Sequence, residues 1–573
     1  MKIALAQQNY HIGNFEHNTQ QILKGIDEAV AAGADLVVFS ELSVCGYPPR
    51  DFLEFSDFIA KCYECVDIIK QKTENIGVII GSPVRNPGAK GKDLFNAALL
   101  LYQNEIRGVA HKTLLPTYDV FDEYRYFEPA FEWNVIAFKG KKIALTICED
   151  LWNLSDNPLY RSAPMDQLTG QSPDIMINIS ASPFDYDHDD DRKEVIRANV
   201  LRYGIPMVYC NTVGSQTEIV FDGGSLVFNK HGEILREMKY FSEDFAVVEV
   251  NAEPSRSNEK DTVTVQDLQR LDKEMRVAKV EDPNQIISYL TNENNISQIH
   301  AALVLGIKDY FSKMGFTKAI IGSSGGVDSA VTLALACEAL GAENVRAVLM
   351  PSPYSTGHSV SDAEQLSRNL GNPYDVIAIR DIYESFLEAL SPLFGDLPFS
   401  VAEENIQSRT RGNLLMSIAN KFGYILLNTS NKSELATGYG TLYGDMAGGL
   451  GVLGDVYKMQ VFALAKFINR TKEIIPEHII TKPPSAELRP GQKDTDSLPD
   501  YSILDKILYQ YIERRQGPRE IISMGLDPAV VARTLKLVNT NEYKRNQFCP
   551  IIRVSSKAFG VGRRMPIVGK YLS

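Results

Sequence analysis

Long hydrophobic runs are missing from this sequence. Nowhere in its 573 residues is there a stretch of about 18 consecutive apolar residues, the least a membrane-crossing helix needs, so no membrane partner is expected. The opening residues, MKIALAQQNYHIGN, turn polar after a few apolar positions and lack the apolar core of a secretory signal. Cysteine is scarce too. The chain has seven, an odd and scattered set that suits a reducing compartment, and the expected location is the cytoplasm. Cys62 and Cys65 form a lone CxxC with no second pair and no redox-fold pattern around it, and they read as structural. Positive charge is in deficit: 59 Lys and Arg stand against 72 Asp and Glu, a net charge of −13. That argues against a general nucleic-acid binder and leaves room only for a local basic patch. Hydrophobic content of 44% and charged content of 23% are those of a globular protein, and the length calls for two or three domains.

The chain is organised around residues 318–335, KAIIGSSGGVDSAVTLAL. Ala319 to Gly322 read as a short buried strand. Ser323, Ser324, Gly325 and Gly326 make a tight loop. From Asp328 the apolar positions Val331, Leu333, Ala334 and Leu335 continue as a helix that Gly341 stops. Glycines let backbone N–H groups close on an anion, and a helix N-terminus adds partial positive charge, so the loop reads as a phosphate cradle. The Lys-Ser/Thr ending of a Walker A loop is absent, which excludes the usual NTPase P-loop. Asp328 is the anionic ligand that a phosphate-bound Mg²⁺ would want. In this setting SGGVDS (324–329) resembles the pyrophosphate loop of the N-type ATP pyrophosphatases. That resemblance implies cleavage of ATP to AMP and pyrophosphate while a substrate is adenylated. It leaves the substrate open: a carboxylate, or a nucleotide carbonyl.

The first half alternates strands and helices: KIALA (2–6), a helix over 15–32, ADLVVF (34–39), GVIIG (77–81), FNAALLLY (95–102), IALTI (143–147) and DIMINI (174–179). Polar groups stand where these buried runs end. Glu41 follows the second strand, Cys148 follows IALTI directly, and Lys112 lies in a connecting segment. A cysteine attacks as thiolate; a nearby ammonium favours that form and a carboxylate can take the proton. Each residue alone is ordinary, but the three in this order suggest nucleophilic chemistry.

The stretches FSELSVCGYPPRD, HKTLLPTYDVFDE and TICEDLW resemble the nitrilase, or carbon–nitrogen hydrolase, superfamily over about residues 1–250. The resemblance implies an α-β-β-α sandwich with Glu41 as general base, Lys112 stabilising the oxyanion and Cys148 as nucleophile. It places Glu123 where the superfamily carries a second glutamate, with the implied task of holding Lys112. Among the superfamily's glutaminase domains, the resemblance assigns glutamine contacts to Tyr118 and Ser182. It also calls for a lysine six residues after Ser182, where this chain has His188. Protonated His188, Arg192 or Lys193 are the candidates to replace it.

From 252 to 290 the sequence turns polar and reads as a connector between a first domain (1–251) and a second (291–573). A helix over about 297–313 opens the second domain. NVRAVLMPS (344–352) reads as a strand, EENIQSRTRGNLLMSIANKFG (403–423) as a long helix, and YILLNTSNKSELATGYGTLYGD (424–445) as a strand followed by a polar loop. KPPSAELRPGQKDTDSLPDY (482–501) reads as a mobile active-site loop. The tail concentrates Lys544, Arg545, Arg553, Lys557, Arg563 and Arg564, charge that suits a phosphate-bearing substrate.

ENIQSRTRG, NTSNKSEL and KPPSAEL resemble the NAD synthetase family over about 290–573, and the whole order resembles its glutamine-dependent branch. The resemblance implies a doubly wound parallel-sheet ATP pyrophosphatase domain behind the glutaminase. It assigns ATP to Gly322, Ser323, Ser324, Gly325, Gly326, Val327, Asp328, Ser329 and Thr429. It assigns deamido-NAD to Asn405, Glu434 and Lys557, and Mg²⁺ to Asp328 and Glu434, leaving Glu434 shared between two roles. The implied reaction takes nitrogen from L-glutamine and installs it on the nicotinate carboxylate of deamido-NAD, with an assembly of at least two copies.

Overall fold

The computed structural model describes residues 1–88, 90–154, 160–186, 188–251 and 282–572, with the side chains of 188–191 left out. Of the segment read as a connector, 252–281 lies outside the described residues. The chain divides into two compact units, Met1–Lys279 and Val280–Ser573.

In the first unit the strands are β1 (Lys2–Gln7), β2 (Leu36–Val38), β3 (Gly77–Arg85), β4 (Leu94–Tyr102), β5 (Glu105–His111), β6 (Ile136–Phe138), β7 (Lys141–Ile147), β8 (Ile175–Ser180), β9 (Met207–Asn211), β10 (Val213–Gln216), β11 (Ile219–Asp222), β12 (Leu226–Phe228), β13 (Ile234–Glu237) and β14 (Asp244–Glu249). Its helices are α1 (Phe15–Ala31), α2 (Ser56–Lys70), α3 (Pro164–Thr169) and α4 (His188–Tyr203). Two six-stranded sheets form, ordered β14-β1-β2-β3-β4-β5 and β13-β12-β9-β8-β7-β6, and β10 and β11 pair as a hairpin.

Alternation along each strand builds the layers, because successive side chains point to opposite faces. In β1, Ala4 and Ala6 face α1 and α2 in one core, while Ile3 and Leu5 face the second sheet in another. In β7, Ile143, Leu145 and Ile147 fill that middle core, while Ala144 packs outward with residues of α3 and α4. The result is the expected α-β-β-α sandwich. Several elements escape the sequence reading, and two of them show why. The edge strand β5 is mostly exposed and carries no buried apolar face to betray it. In α2, Cys62 and Cys65 belong to the buried face with Ile59, Val66 and Ile69, and both are free thiols.

The second unit contains β15 (Ala319–Gly322), β16 (Val345–Leu349), β17 (Tyr374–Val376), β18 (Ile425–Asn428) and β19 (Leu450–Gly451). Its sheet is ordered β17-β16-β15-β18-β19 and every pairing is parallel. Around it run α5 (Pro283–Leu290), α6 (Glu293–Met314), α7 (Val327–Leu340), α8 (Gly357–Leu370), α9 (Arg380–Phe394), α10 (Val401–Phe422), α11 (Lys432–Thr437), α12 (Lys458–Ile468), α13 (Glu477–Thr481) and α14 (Tyr501–Ile512). The strand order reverses between β15 and β18, and ligands of doubly wound sheets bind beyond the C-terminal strand ends at that point. Residues 283–290, read as part of the connector, are the helix α5, capped by Asp282 and burying Ile286 and Leu290. The polar loop read after β18 contains α11, too short to show an apolar period; Asn431 and Glu434 close it with a capping box. No helix among the described residues is long and apolar enough to cross a membrane.

Candidate active sites

In the first unit, β2 delivers Glu41 into the interior. The turn after it needs Gly81 on β3, where a Cβ would stand 2.2 Å from the Leu42 nitrogen. At the end of β7 the chain bends sharply, with Cys148 itself at φ +43°. For a non-glycine residue that is a strained position, of the kind that aims a side chain at a site.

Lys112 joins two carboxylates. Its Nζ lies 2.8 Å from Glu41 Oε1 and 2.7 Å from Glu123 Oε1, and all three side chains are buried. Asn96 Nδ2 donates to Glu41 Oε1 at 2.7 Å and to Glu123 Oε2 at 3.4 Å. Tyr47 donates to Glu123 (2.7 Å), and the Ala181 N–H to Glu41 Oε2 (2.9 Å). Burial opposes the charge on Lys112, but Glu123 and Glu41 outweigh it and hold the ammonium well above its ordinary pKa. Burial pushes the Cys148 thiol well up; Glu41 adds to this and Lys112 opposes it, a balance that favours the neutral thiol. Asp150 ties Lys112's segment to the cysteine turn: its Oδ1 accepts from Thr113 and Leu114 (3.0 and 2.9 Å) and its Oδ2 from Ile147 (3.1 Å).

Glutamine contacts were expected at Tyr118, Ser182 and His188. The Tyr118 hydroxyl donates to Glu149 at 2.9 Å, as Tyr160 does at 3.1 Å. Ser182 is buried beside Asn211. The His188 side chain lies outside the described residues. Of its stand-ins, Arg192 is buried in a two-pronged pair with Asp222 (2.8 and 2.7 Å), and Lys193 pairs with Glu237 (2.8 Å).

In the second unit, the loop after β15 bends through Gly325 at φ +75°, and a Cβ there would stand 2.2 Å from the Ser359 carbonyl oxygen. Gly326 begins α7 without any side-chain cap, which leaves the helix N-terminus to an incoming anion. Ser323 Oγ is buried with no hydrogen-bond partner in the structure. A cavity of about 270 Å³ opens over this loop, lined by Gly322, Ser323, Ser324, Gly326, Val327, Asp328 and Ser329, with Thr429, Glu434 and Lys458 opposite. Lys482 to Leu488 of the Pro-rich segment line it as well. Asn405 and Lys557 are not among the lining residues; Asn405 instead accepts from Thr441 (2.7 Å).

Lys458 gathers the acidic groups. Its Nζ is 2.5 Å from Asp328 Oδ2 and 3.4 Å from Glu434 Oε1, and Asn431 donates to Asp328 Oδ1 at 2.8 Å. Burial and the neighbouring Asp328 raise the Glu434 pKa, which Lys458 partly offsets. Two carboxylates at a phosphate cradle suit a hard cation that takes its other ligands from phosphates and water. Among the described residues no cluster of three or more His, Cys, Asp or Glu could hold a metal.

Three of the six basic tail residues are engaged within the protein. Lys544 donates to the carbonyls of Gly438 and Gly440 (both 2.8 Å), and Arg545 to those of Leu435 and Ala436 (3.0 and 2.7 Å), covering the C-terminal end of α11. Arg563 pairs with Glu542 (2.9 Å). Much of that charge therefore satisfies helix ends and a buried acid. Sequence reasoning also missed Asn96, Tyr47, Glu149, Asp150, Asn431 and Lys458. Glu149 and Asp150 adjoin the nucleophile in CEDLW, and Asn431 lies within NTSNKSEL. Asn96 and Lys458 carry no local signal, because their partners are far away in sequence.

Two family models match: carbon–nitrogen hydrolase over residues 2–257 and NAD synthase over 299–548. A glutamine-dependent NAD(+) synthetase of Synechocystis sp. is 44% identical over 99% of this chain and 98% of its own length. One from Thermotoga maritima is 40% identical over 100% and 99%. Among solved structures, a glutamine-dependent NAD+ synthetase of Acinetobacter baumannii in complex with ADP is 36% identical, covers 99% of this chain and 98% of its own, and superposes with a TM-score of 0.73.

Proposed function

The chain belongs to the glutamine-dependent NAD(+) synthetases, and on that premise we propose which residues perform its two half-reactions. As a carbon–nitrogen ligase it forms NAD(+) with glutamine as nitrogen donor. In the first half-reaction Glu41 takes the Cys148 thiol proton as sulfur attacks the glutamine amide carbon. Lys112, pinned by Glu123, faces the developing oxyanion. Glu41 returns the proton to departing ammonia, then activates the water that frees glutamate. Tyr118, Ser182 and a cation near position 188 grip the rest of the glutamine.

In the second half-reaction the loop 322–329 and Thr429 hold ATP, and the nicotinate carboxylate of deamido-NAD attacks its α-phosphorus. Pyrophosphate leaves and an acyl-adenylate forms. Ammonia then adds to the acyl carbon and AMP leaves. Asn405, Glu434 and Lys557 hold the dinucleotide. Asp328 and Glu434 would hold Mg²⁺, which supplies positive charge to the leaving pyrophosphate. Under the same proposal the enzyme works in the cytoplasm as an assembly of at least two copies.

One observation carries this reading: a buried Glu41–Lys112 pair beside Cys148 and an uncapped anion-binding helix beside Asp328 occur in a single chain. Glutamine labelled at the amide nitrogen tests it, supplied with ATP, Mg²⁺ and deamido-NAD. Label is expected in NAD, with AMP formed. Cys148→Ala should abolish use of glutamine and keep synthesis from ammonium salts. Loss of both activities, or NAD without AMP, would refute the scheme.

A further inference from the structure

The residues of the turn that opens α11 reach several separate elements. Asn431 donates to Asp328 in the ATP loop (2.8 Å). Ser433 Oγ donates to Asp505 on α14 (2.5 Å) and accepts the Lys458 N–H (3.0 Å). Glu434 lies 3.4 Å from Lys458 Nζ. Lys432 is not among the residues lining the ATP cavity, and its contacts have no place in the scheme above.

Its ammonium is fully buried, 2.9 Å from Glu513 Oε1, 2.9 Å from Asp455 Oδ1 and 2.7 Å from Ser555 Oγ, with the Tyr457 ring 4.6 Å away. Burial opposes its charge, but Asp455 and Glu513 outweigh that and raise its pKa. The two carboxylates in turn hold the tail. Asp455 Oδ2 accepts the N–H groups of Val554 and Ser555 (2.8 and 2.7 Å), and Asp455 Oδ1 accepts the Ser555 hydroxyl (2.8 Å). Glu513 Oε2 accepts from Ser556 (3.3 Å). The N–H of the next residue, Lys557, donates to Ser555 Oγ (3.3 Å). Three consecutive tail residues thus hang from two acids that one buried lysine joins, immediately before Lys557.

We infer that Lys432 is a positioning residue for the dinucleotide substrate. Through Asp455, Glu513 and Ser555 it sets the tail so that Lys557 stands in fixed register with the ATP loop, which the neighbouring Asn431 holds from the same turn. The inference rests on the reading of Lys557 as a deamido-NAD contact. Stability alone is a poor reason for this cluster, because a buried ion pair often does no better than apolar packing of the same volume. What the charges add is direction: each tail donor is held by a specific acceptor, and the register of four tail residues follows from them.

The test uses the full-length enzyme with ammonium salt as nitrogen donor and initial rates over deamido-NAD and ATP. Ser555→Ala removes the hydroxyl that Lys557 leans on and spares the ion pairs. Lys432→Met removes the cation and leaves two buried acids unpaired, so Ser555→Ala carries the test if that variant fails to fold. Lys557→Met is the reference, and an unchanged melting temperature of the second unit reports intact protein. Ser555→Ala and Lys557→Met should each raise KM for deamido-NAD, by about fivefold or more for the loss of one charge-assisted hydrogen bond, while KM for ATP moves less than about twofold. If Lys557→Met raises that KM and Ser555→Ala does not, the positioning role is overturned and the reading of Lys557 stands. If Lys557→Met leaves it unchanged, the Lys557 reading falls and the inference with it. A parallel rise in both KM values, or a fall in kcat alone, would make the cluster a structural brace and overturn the inference.

Discussion

The surroundings of Cys148 favour its protonated thiol. Burial is the largest influence, Glu41 raises the pKa further, and Lys112 pulls it down without prevailing. The roles of the three neighbours can be separated by alkylation, which needs a thiolate but no general base. In the wild type, iodoacetamide labelling of the Cys148 peptide should still be climbing above pH 9. Glu41→Gln removes a charge that disfavours the thiolate, so its profile should move to lower pH although the variant cannot turn over. Lys112→Met removes a favourable charge and should move the profile higher. Mass spectrometry of labelled peptides over a pH series measures both shifts. A wild-type profile already flat at pH 7 would mean a pre-formed thiolate and would reverse the task given to Glu41.

Elements carry the next level of argument, and α11 is the best example. Its sequence, NKSELAT with the cap, shows no apolar period, yet its first four positions reach the ATP loop, the tail, α14 and α12. Strands such as β1 and β7 and the helix α7 were legible because they are near-continuous apolar runs, buried on more than one face and bounded by polar or glycine residues. The edge strand β5 and the short helix α11 were not, since exposure or brevity removes such a run. The same holds for the sites. Glu41, Lys112, Cys148 and Asp328 follow motifs that adjoin strand ends, whereas Asn96 and Lys458 owe their places to contacts 55 and 130 residues distant.

The α11–α14 contact also has a pH signature. Asp505 on α14 is fully buried and burial pushes its carboxyl up to about 7, against Ser433 and the Met459 N–H, which favour the charged form. With a folded pKa above the unfolded one, the native state binds the extra proton. Stability is therefore lost as pH rises from about 4 towards 7. Asp505→Asn keeps an acceptor for Met459 and a polar partner for Ser433 but never ionises. Its melting temperature relative to wild type should rise with pH across that window and level off above it. A constant difference between pH 4 and 8 would show that Asp505 titrates normally.

At the scale of the whole molecule the two units have separate cores and separate chemistries, and what joins them chemically is a nitrogen atom that must be unprotonated to react. Ammonium has no lone pair, so synthesis driven by ammonium salts depends on the free-base fraction and should gain about tenfold per pH unit well below the pKa of ammonia. Under the proposed scheme glutamine gives up its nitrogen as ammonia, with Glu41 supplying only the proton needed for departure. If that ammonia meets the acyl-adenylate before it equilibrates with solvent protons, the glutamine-driven rate escapes the slope. The measurement is NAD formation by the wild type from glutamine, and by Cys148→Ala from ammonium chloride, from pH 6 to 8 at saturating ATP and deamido-NAD. A steep line for the salt and a shallow one for glutamine would show guarded transfer. Parallel lines would mean that the nitrogen passes through bulk water, and the two units would then be neighbours in sequence with no shared intermediate.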